Sequence, residues 1–371
     1  MTCTPTNQPT GPTDRPPIET QPERTDLPLA ALPDPLDAEL APITAQLGRL
    51  RDLARVRITP GFTTDEDAIV ARTAGADAMF IGGNRLSDRL LRRLCDPAGP
   101  DGGHIRCLVF CGTGVATSVS LPLAAELGVR VCNAEHYGDH AVAEHTMALM
   151  LAAARRIVPL DAQTRDGRWA AANADGLELN GKRLAIVGLG GIGRTVAGLA
   201  RAFGMEVSAW RSPHRRARGE ADPAGIEMVD GMAELFARAD VVSIHLPYLP
   251  GRTGGIVTAE AIRAMRPGTV FVNTGRAEVL DNTALLERLR SGDILAGLDV
   301  YDHEPLRAGE ELTTLPNVTL TPHVAWRTDG AFVELTCQMV EAMACFFEGR
   351  DYHVVVPGRG AWPAAAPGRG E

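Results

Sequence analysis

Residues 184–193 read Leu184-Ala185-Ile186-Val187-Gly188-Leu189-Gly190-Gly191-Ile192-Gly193, and a helical pattern follows from Arg194 to Phe203. A short apolar strand runs into a GxGxxG turn, and the turn runs into a helix. In that setting the glycines allow a tight turn, close approach of a pyrophosphate and tight helix–strand packing. The N-terminus of the helix then favours the phosphate charge. This stretch therefore points to a dinucleotide site, and Gly188, Gly190, Gly191, Ile192 and Gly193 are its candidate residues.

Downstream, the alternation is regular. Apolar strands end at Trp210, Pro247, Thr274, Val300 and Thr321. Helical segments lie between most of them, at Met232–Arg238, Ala259–Met265 and Thr283–Arg290. Alternating β and α at this spacing predicts a parallel, doubly wound sheet. Ligands of such sheets bind outside the carboxyl ends of the strands, so the residues at those ends are the ones to examine. They are Arg211-Ser212, His245-Leu246-Pro247, Thr274-Gly275-Arg276, Asp299 through Pro305, and Thr321 through Trp326. A lone histidine near a strand end is usually structural. Arginine, glutamate and histidine sharing one sheet edge with a dinucleotide turn form a candidate catalytic group.

Upstream, Ala78–Ile81, Arg106–Cys111 and Val129–Asn133 read as strands, and Ser87–Leu94 and Ser120–Leu127 as helices. This is a second α/β unit. A long helical pattern, His140–Ile157, links it to the dinucleotide unit and is expected to end near Pro159. Residues 1–36 hold nine prolines and residues 357–371 are rich in Gly, Pro and Ala. Both segments read as disordered tails, too poor in large apolar residues to offset their ordering entropy.

Composition narrows the function classes. A chain of 371 residues suffices for two domains of about 150 residues each. The net charge of −9 argues against general nucleic-acid binding. Lys182 is the only lysine and no phosphate loop surrounds it, so lysine Schiff-base and P-loop chemistry are excluded elsewhere. Seven scattered cysteines without a CxxC pair suggest reduced thiols and a cytoplasmic protein; Cys107 and Cys111 read as small core residues. His136, His140 and His145 lie near one helix start, but that spacing without further ligands does not make a metal site. No run reaches the roughly 18 apolar residues of a membrane span, and no signal peptide is read. Arg155-Arg156 fits a solvated helix C-terminus, and Arg85 is a surface arginine that a second substrate anion could meet.

The second strand of the dinucleotide unit, Glu206–Trp210, delivers Arg211 eighteen residues after Gly193. An NAD site places Asp or Glu there to accept from the ribose 2′-hydroxyl. Arg211 instead suits a 2′-phosphate, with Ser212 as a neutral donor and Arg215 or Arg216 as further cations. The reading favours NADP, with NAD as the alternative.

Taken together, Val142-Ala143-Glu144-His145, Arg168-Trp169, Gly188–Gly193, His245-Leu246-Pro247, Asn273–Arg276, Asp299–Pro305 and Thr321–Trp326 resemble the D-isomer-specific 2-hydroxyacid dehydrogenases, over roughly residues 56–350. The departures are Gly275 and Ala277 around the arginine, and Arg211 in place of the acidic ribose ligand. The resemblance implies two Rossmann-like or flavodoxin-like domains around a cleft. The dinucleotide domain, 141–327, would be inserted into a discontinuous substrate domain of 45–140 and 328–356. It implies a homodimer built on the cofactor domain, a small 2-oxo or 2-hydroxy acid as the substrate, and no nucleic-acid or membrane partner. A C-terminal regulatory domain is not expected after Val356.

The resemblance also implies roles. Arg276, Glu304 and His323 match the catalytic set. His245, Pro247, Thr253, Thr274, Gly275, Arg276, Asp299 and His323 match cofactor contacts, Asp299 at the nicotinamide carboxamide. Gly112, Thr113, Gly114 and Val115 match a substrate loop whose backbone N–H groups could hold a carboxylate. Tyr301 and Trp326 read as packing and pocket wall. The chemistry asks for the same types: histidine as proton donor near neutral pH, a carboxylate that favours the imidazolium, and arginine to grip the acid and polarise its carbonyl. Oxidation of formate or phosphite uses the same hydride geometry. A dinucleotide-sensing, corepressor-like protein could keep the same residues; basal turnover separates it from an enzyme.

Overall fold

The computed structural model describes residues 16–99, 101–169, 175–213, 217, 222–359 and 362. In chain order its strands and helices are β1 (Ile18–Glu19), β2 (Leu29–Leu32), α1 (Asp37–Gln46), β3 (Arg55–Ile58), α2 (Glu66–Arg72), β4 (Ala78–Ile81), α3 (Asp88–Cys95), β5 (Cys107–Phe110), α4 (Leu121–Leu127) and β6 (Arg130–Cys132). Then come α5 (Asp139–Ala154), α6 (Ile157–Arg165), β7 (Arg183–Val187), α7 (Gly191–Ala202), β8 (Glu206–Trp210), β9 (Glu227–Val229) and α8 (Met232–Arg238). The rest are β10 (Val241–Ile244), α9 (Ala259–Ala264), β11 (Val270–Asn273), α10 (Asn282–Ser291), β12 (Leu295–Leu298), β13 (Val318–Leu320), α11 (Asp329–Phe347) and β14 (Val354–Pro357). The chain divides into two compact units: the described residues up to Tyr137 with those from Asp329 on, and Gly138–Thr328.

In the Gly138–Thr328 unit the sheet order is β13-β12-β11-β10-β7-β8-β9, and every pair is parallel. Its strands are apolar on both faces. Leu184 and Ile186 pack with Met147, Val196 and Ala200 on the α5/α7 side. Ala185 and Val187 pack with Leu235, Ile262 and Leu285 on the α8–α10 side. That period-two division is why the strands read as continuous hydrophobic runs. The chain moves outward through β7, β8 and β9, then crosses back to β10 beside β7, so the strand order reverses between β7 and β10. Caps set local boundaries: Asp281 accepts from the Ala284 N–H at 2.9 Å to start α10, and Gly292 at φ 73° ends it. Strand β9 was not anticipated from the sequence.

The other unit has the order β1-β3-β2-β4-β5-β6-β14, parallel except at its two edges, β1/β3 and β6/β14. Helix α11 is long and apolar enough by composition to cross a membrane, but 72% of its apolar window is buried, and it packs on α1 and β5.

Three expectations need correction. The segment 1–36 is not wholly a tail: β2 lies inside the sheet between β3 and β4, Leu29–Leu32 are at most 3% exposed, and the Asp34 side chain just beyond is fully buried. The unit expected to start at residue 45 therefore begins well before it. Four small and aliphatic residues suffice for a strand covered on both faces, and the surrounding prolines hid them. The C-terminal segment is also partly built: Pro357 pairs with Arg130 in the β14/β6 ladder, and Trp362 packs edge-on against Phe346 and Phe347. Residues 1–15, 360–361 and 363–371 lie outside the described residues. Lastly, the linking helix stops at Ala154, Arg156 adopts a left-handed φ of 53°, and α6 continues past Pro159. Proline in a first helical turn lacks only an N–H that had no intrahelical partner.

Candidate active site

The parallel sheet puts the ends of β7, β8, β10, β11, β12 and β13 on one edge, and every candidate of the dinucleotide unit follows one of those ends. Gly188 follows β7 with φ 106°, and a Cβ there would lie 2.5 Å from the His245 carbonyl oxygen after β10. At Gly193 a Cβ would lie 2.0 Å from the Gly188 oxygen. Both must be glycine for the turn to close at all. Around Gly190, apart from its chain neighbours, no atom of the described residues lies within 4 Å of a would-be Cβ, which leaves that face open to a ligand's pyrophosphate. The turn therefore fits a dinucleotide. Gly191 has a different reason, absent from the sequence pattern: the Asp139 carboxylate at the start of α5 occupies the space a side chain would need.

The remaining cofactor candidates fare unevenly. His245 is buried, bonds Ser243 Oγ through Nε2 at 2.8 Å, and is driven by burial to a pKa of about 3, so the imidazole is neutral. The Thr253 hydroxyl is committed to its own loop, donating to the Pro247 oxygen and accepting from the Leu249 N–H. Thr274 shares a 2.8 Å hydrogen bond with Thr146. The Gly275 N–H donates to the Asn273 side chain. Arg211 donates to Asp222 at 2.5 Å and to Asp230 at 3.5 Å. Residues 214–216 lie outside the described residues, and so do the further cations expected there.

Of the candidate catalytic trio, His323 and Glu304 are in contact, and Arg276 lies near enough for its charge to act on Glu304. His323 Nδ1 and Glu304 Oε2 are 2.8 Å apart, each side chain about one-third exposed. Burial pushes the Glu304 carboxyl up; the His323 hydrogen bond and charge, the Tyr301 N–H and the Arg276 charge outweigh it, and the net shift is downward. Glu304 is thus an anion at neutral pH and faces the imidazole. Arg276 is partly buried, bonds the Gly275 oxygen through one nitrogen, and has no carboxylate within 4 Å among the described residues. Its other donors remain for a substrate anion. His323 sits at φ 54°, a left-handed conformation that costs a non-glycine residue roughly 1–3 kcal/mol and persists only where its surroundings fix it.

Asp299 supplies that fixing. It is fully buried; Oδ1 accepts from the Thr321 hydroxyl at 2.6 Å and the Val324 N–H at 2.9 Å, and Oδ2 from the Ala325 N–H at 2.9 Å. With about four acceptor positions on a carboxylate, the three bonds leave one without a hydrogen bond from the described residues. Tyr301 also does more than pack: its N–H donates to Glu304 Oε1, and its hydroxyl lies 2.8 Å from the Thr321 oxygen. Trp326 stacks under Arg327.

In the other unit, the candidate substrate loop follows β5. The Gly112 and Val115 N–H groups are taken by the Phe110 and Thr113 oxygens, whereas those of Thr113 and Gly114 have no partner among the described residues. Of the four expected donors, only the middle two are open to an anion. Asn133 and Ala134 brace the loop through the Thr113 oxygen and hydroxyl. Sequence reasoning missed buried Asp34, which accepts from the Gly82 and Asn84 N–H groups and so fixes the backbone before Arg85.

Comparison with known proteins points to one family. Residues 147–325 match the family described as D-isomer specific 2-hydroxyacid dehydrogenase, NAD binding domain. The chain is 32% identical to a glyoxylate reductase of Aeropyrum pernix over 76% of its own length and 84% of the relative's. The chain belongs to the D-isomer specific 2-hydroxyacid dehydrogenase family. It is also 34% identical to a D-3-phosphoglycerate dehydrogenase of Methanocaldococcus jannaschii over 76% of its own length, but spans only about half of that relative, 51%. Among solved structures, the TT0316 protein of Thermus thermophilus aligns with a TM-score of 0.74 at 32% identity, covering 88% of this chain and all of that one.

Proposed function

We propose that this member of the family reduces a 2-oxo acid to the D-2-hydroxy acid with NADPH, or runs the reverse reaction. The carrying observation is the 2.8 Å His323–Glu304 pair beside an arginine without a salt bridge among the described residues, on the sheet edge that bears the glycine turn. The reduced nicotinamide, when bound, supplies the hydride. Arg276 grips the substrate carboxylate and polarises the carbonyl with its planar fork of donors. His323 has Nδ1 tied to Glu304, so Nε2 is the nitrogen that delivers a proton to the carbonyl oxygen. Ionised Glu304 holds the ring and favours the charged form that this step needs. In the other unit, the N–H groups of Thr113 and Gly114, without partners among the described residues, are donors of the kind a carboxylate accepts from.

NADP(H) is favoured by Arg211 at the end of β8. Its aspartate partners, Asp222 and Asp230, are each about half exposed, and such pairs are worth only about 0–1 kcal/mol. A 2′-phosphate, bearing roughly −1.5 to −2 charge, competes well with them. We also propose a homodimer in which a second copy covers exposed Ile157, Val158 and Trp169. The test is a panel of 2-oxo acids, with and without a phosphate group, assayed with NADPH and NADH. Turnover of at least one acid, faster with NADPH, supports the reading; cofactor binding without turnover of any acid favours the sensing alternative.

A further inference from the structure

Helix α5 approaches β12 unusually closely. A Cβ on Gly297 would lie 2.9 Å from Leu149 Cβ and 3.1 Å from the Leu149 oxygen. On a strand, residue 299 shares a face with 297; on a helix, residue 145 shares a face with 149. The close approach at Gly297 and Leu149 therefore carries His145 to Asp299, and His145 Nε2 lies 3.0 Å from the Thr321 hydroxyl and 3.7 Å from Asp299 Oδ1. The Thr321 hydroxyl gives its one proton to Asp299 at 2.6 Å, so His145 Nε2 must carry a hydrogen and donate to it. The chain of bonds runs from His145 through Thr321 and Asp299 to the N–H groups of Val324 and Ala325, the two residues after strained His323. The next helical residue acts on the neighbouring strand: Thr146 bonds Thr274, two residues before Arg276.

We infer that His145 is a positioning residue: through Thr321 and Asp299 it holds the 321–325 loop so that His323 faces Glu304 in its left-handed conformation, while Thr146 fixes the loop of Arg276. The inference rests on His323 as the proton donor. Its contribution lies in the geometry of the proton transfer, so its loss falls on kcat rather than on cofactor binding. A small misplacement of a reacting group costs up to about 10²-fold in rate.

The experiment is a double-mutant cycle of His145→Leu and His323→Ala, with kcat read from NADPH consumption, the NADPH Kd from fluorescence titration and Tm from calorimetry. His145→Leu alone is expected to lower kcat about 10- to 100-fold with Kd within about twofold. In the His323→Ala background it should cost almost nothing more, because the group it positions is gone. His145→Gln, which keeps an N–H donor, should recover most of the rate. A full additive loss in the His323→Ala background overturns the inference. Unchanged turnover in His323→Ala alone overturns the functional reading itself, which is a different outcome. If His145→Leu loses its fold, Thr321→Val against Thr321→Ser decides: an equal kcat in the two overturns the relay, and a low kcat in Val alone supports it.

Discussion

Two arginines emerge on the same sheet edge and differ in what surrounds them. Arg276, after β11, has no salt bridge among the described residues, although its charge acts on Glu304; Arg211, after β8, is held by Asp222 and Asp230. On the proposed reading, the first is open to an anion that arrives with the substrate, and the second exchanges aspartate for a 2′-phosphate when the cofactor is NADP(H). Sequence places both charges at strand ends, but only the fold shows which one is already neutralised.

The largest effect expected from this contrast is at Arg276. Arg276→Ala should lower kcat/KM for the acid about 10²–10³-fold, with NADPH affinity measured by titration little changed. Arg276→Lys should restore only part, because an ammonium lacks the planar fork. Near-normal kcat/KM in the alanine variant would mean that the arginine's open donors serve no substrate.

Glu304→Gln comes next and works through the histidine. Glu304 has a lowered pKa, so its charge is present from neutral pH down into the acid range and is lost as pH falls through that lowered value. The glutamine variant has no such charge at any pH. Reduction by the variant should therefore fail at lower pH than in the wild type as pH rises, with a smaller maximal kcat. Superimposable pH profiles would show that the carboxylate does not govern the proton donor.

Arg211→Asp should follow, reversing or abolishing a preference for NADPH of at least about tenfold, since one hydrogen bond to a charged group is worth roughly 1.5–3 kcal/mol. The measurement is kcat/KM for both reduced cofactors in both proteins. Smallest is Asp222→Asn, which frees Arg211 from one exposed ion pair and should raise NADPH affinity by no more than about fivefold. A loss of affinity there would show that Asp222 orients Arg211 rather than competing for it.

What the sequence reveals follows from the same physics. The Gly138–Thr328 unit was legible because its strands are apolar on both faces and its functional residues fall at strand ends, and the Gly188–Gly193 turn fixed the register of all that followed. Arg276, Glu304 and His323 were named as what the family resemblance implies, and their residue types suit the chemistry it implies. Strand β2 was missed: Leu29–Leu32 is four residues long, lies among prolines and shows no alternation, because both its faces are buried. Asp299 was placed at the site, but its inward role depends on two backbone N–H groups twenty-five and twenty-six residues away, which no local pattern encodes. The same holds for His145 and Thr321, and for the aspartates on Arg211. Partners brought together by tertiary packing leave no trace in spacing.

The central claim is that His323, held by Glu304, protonates a 2-oxo acid as hydride arrives from NADPH. The most direct measurement is turnover of the best acid from the panel by the wild type and His323→Ala, with NADPH Kd determined for both. The account predicts a fall in kcat of on the order of 10²–10⁴-fold with Kd nearly unchanged. Equal turnover by the two proteins would contradict it.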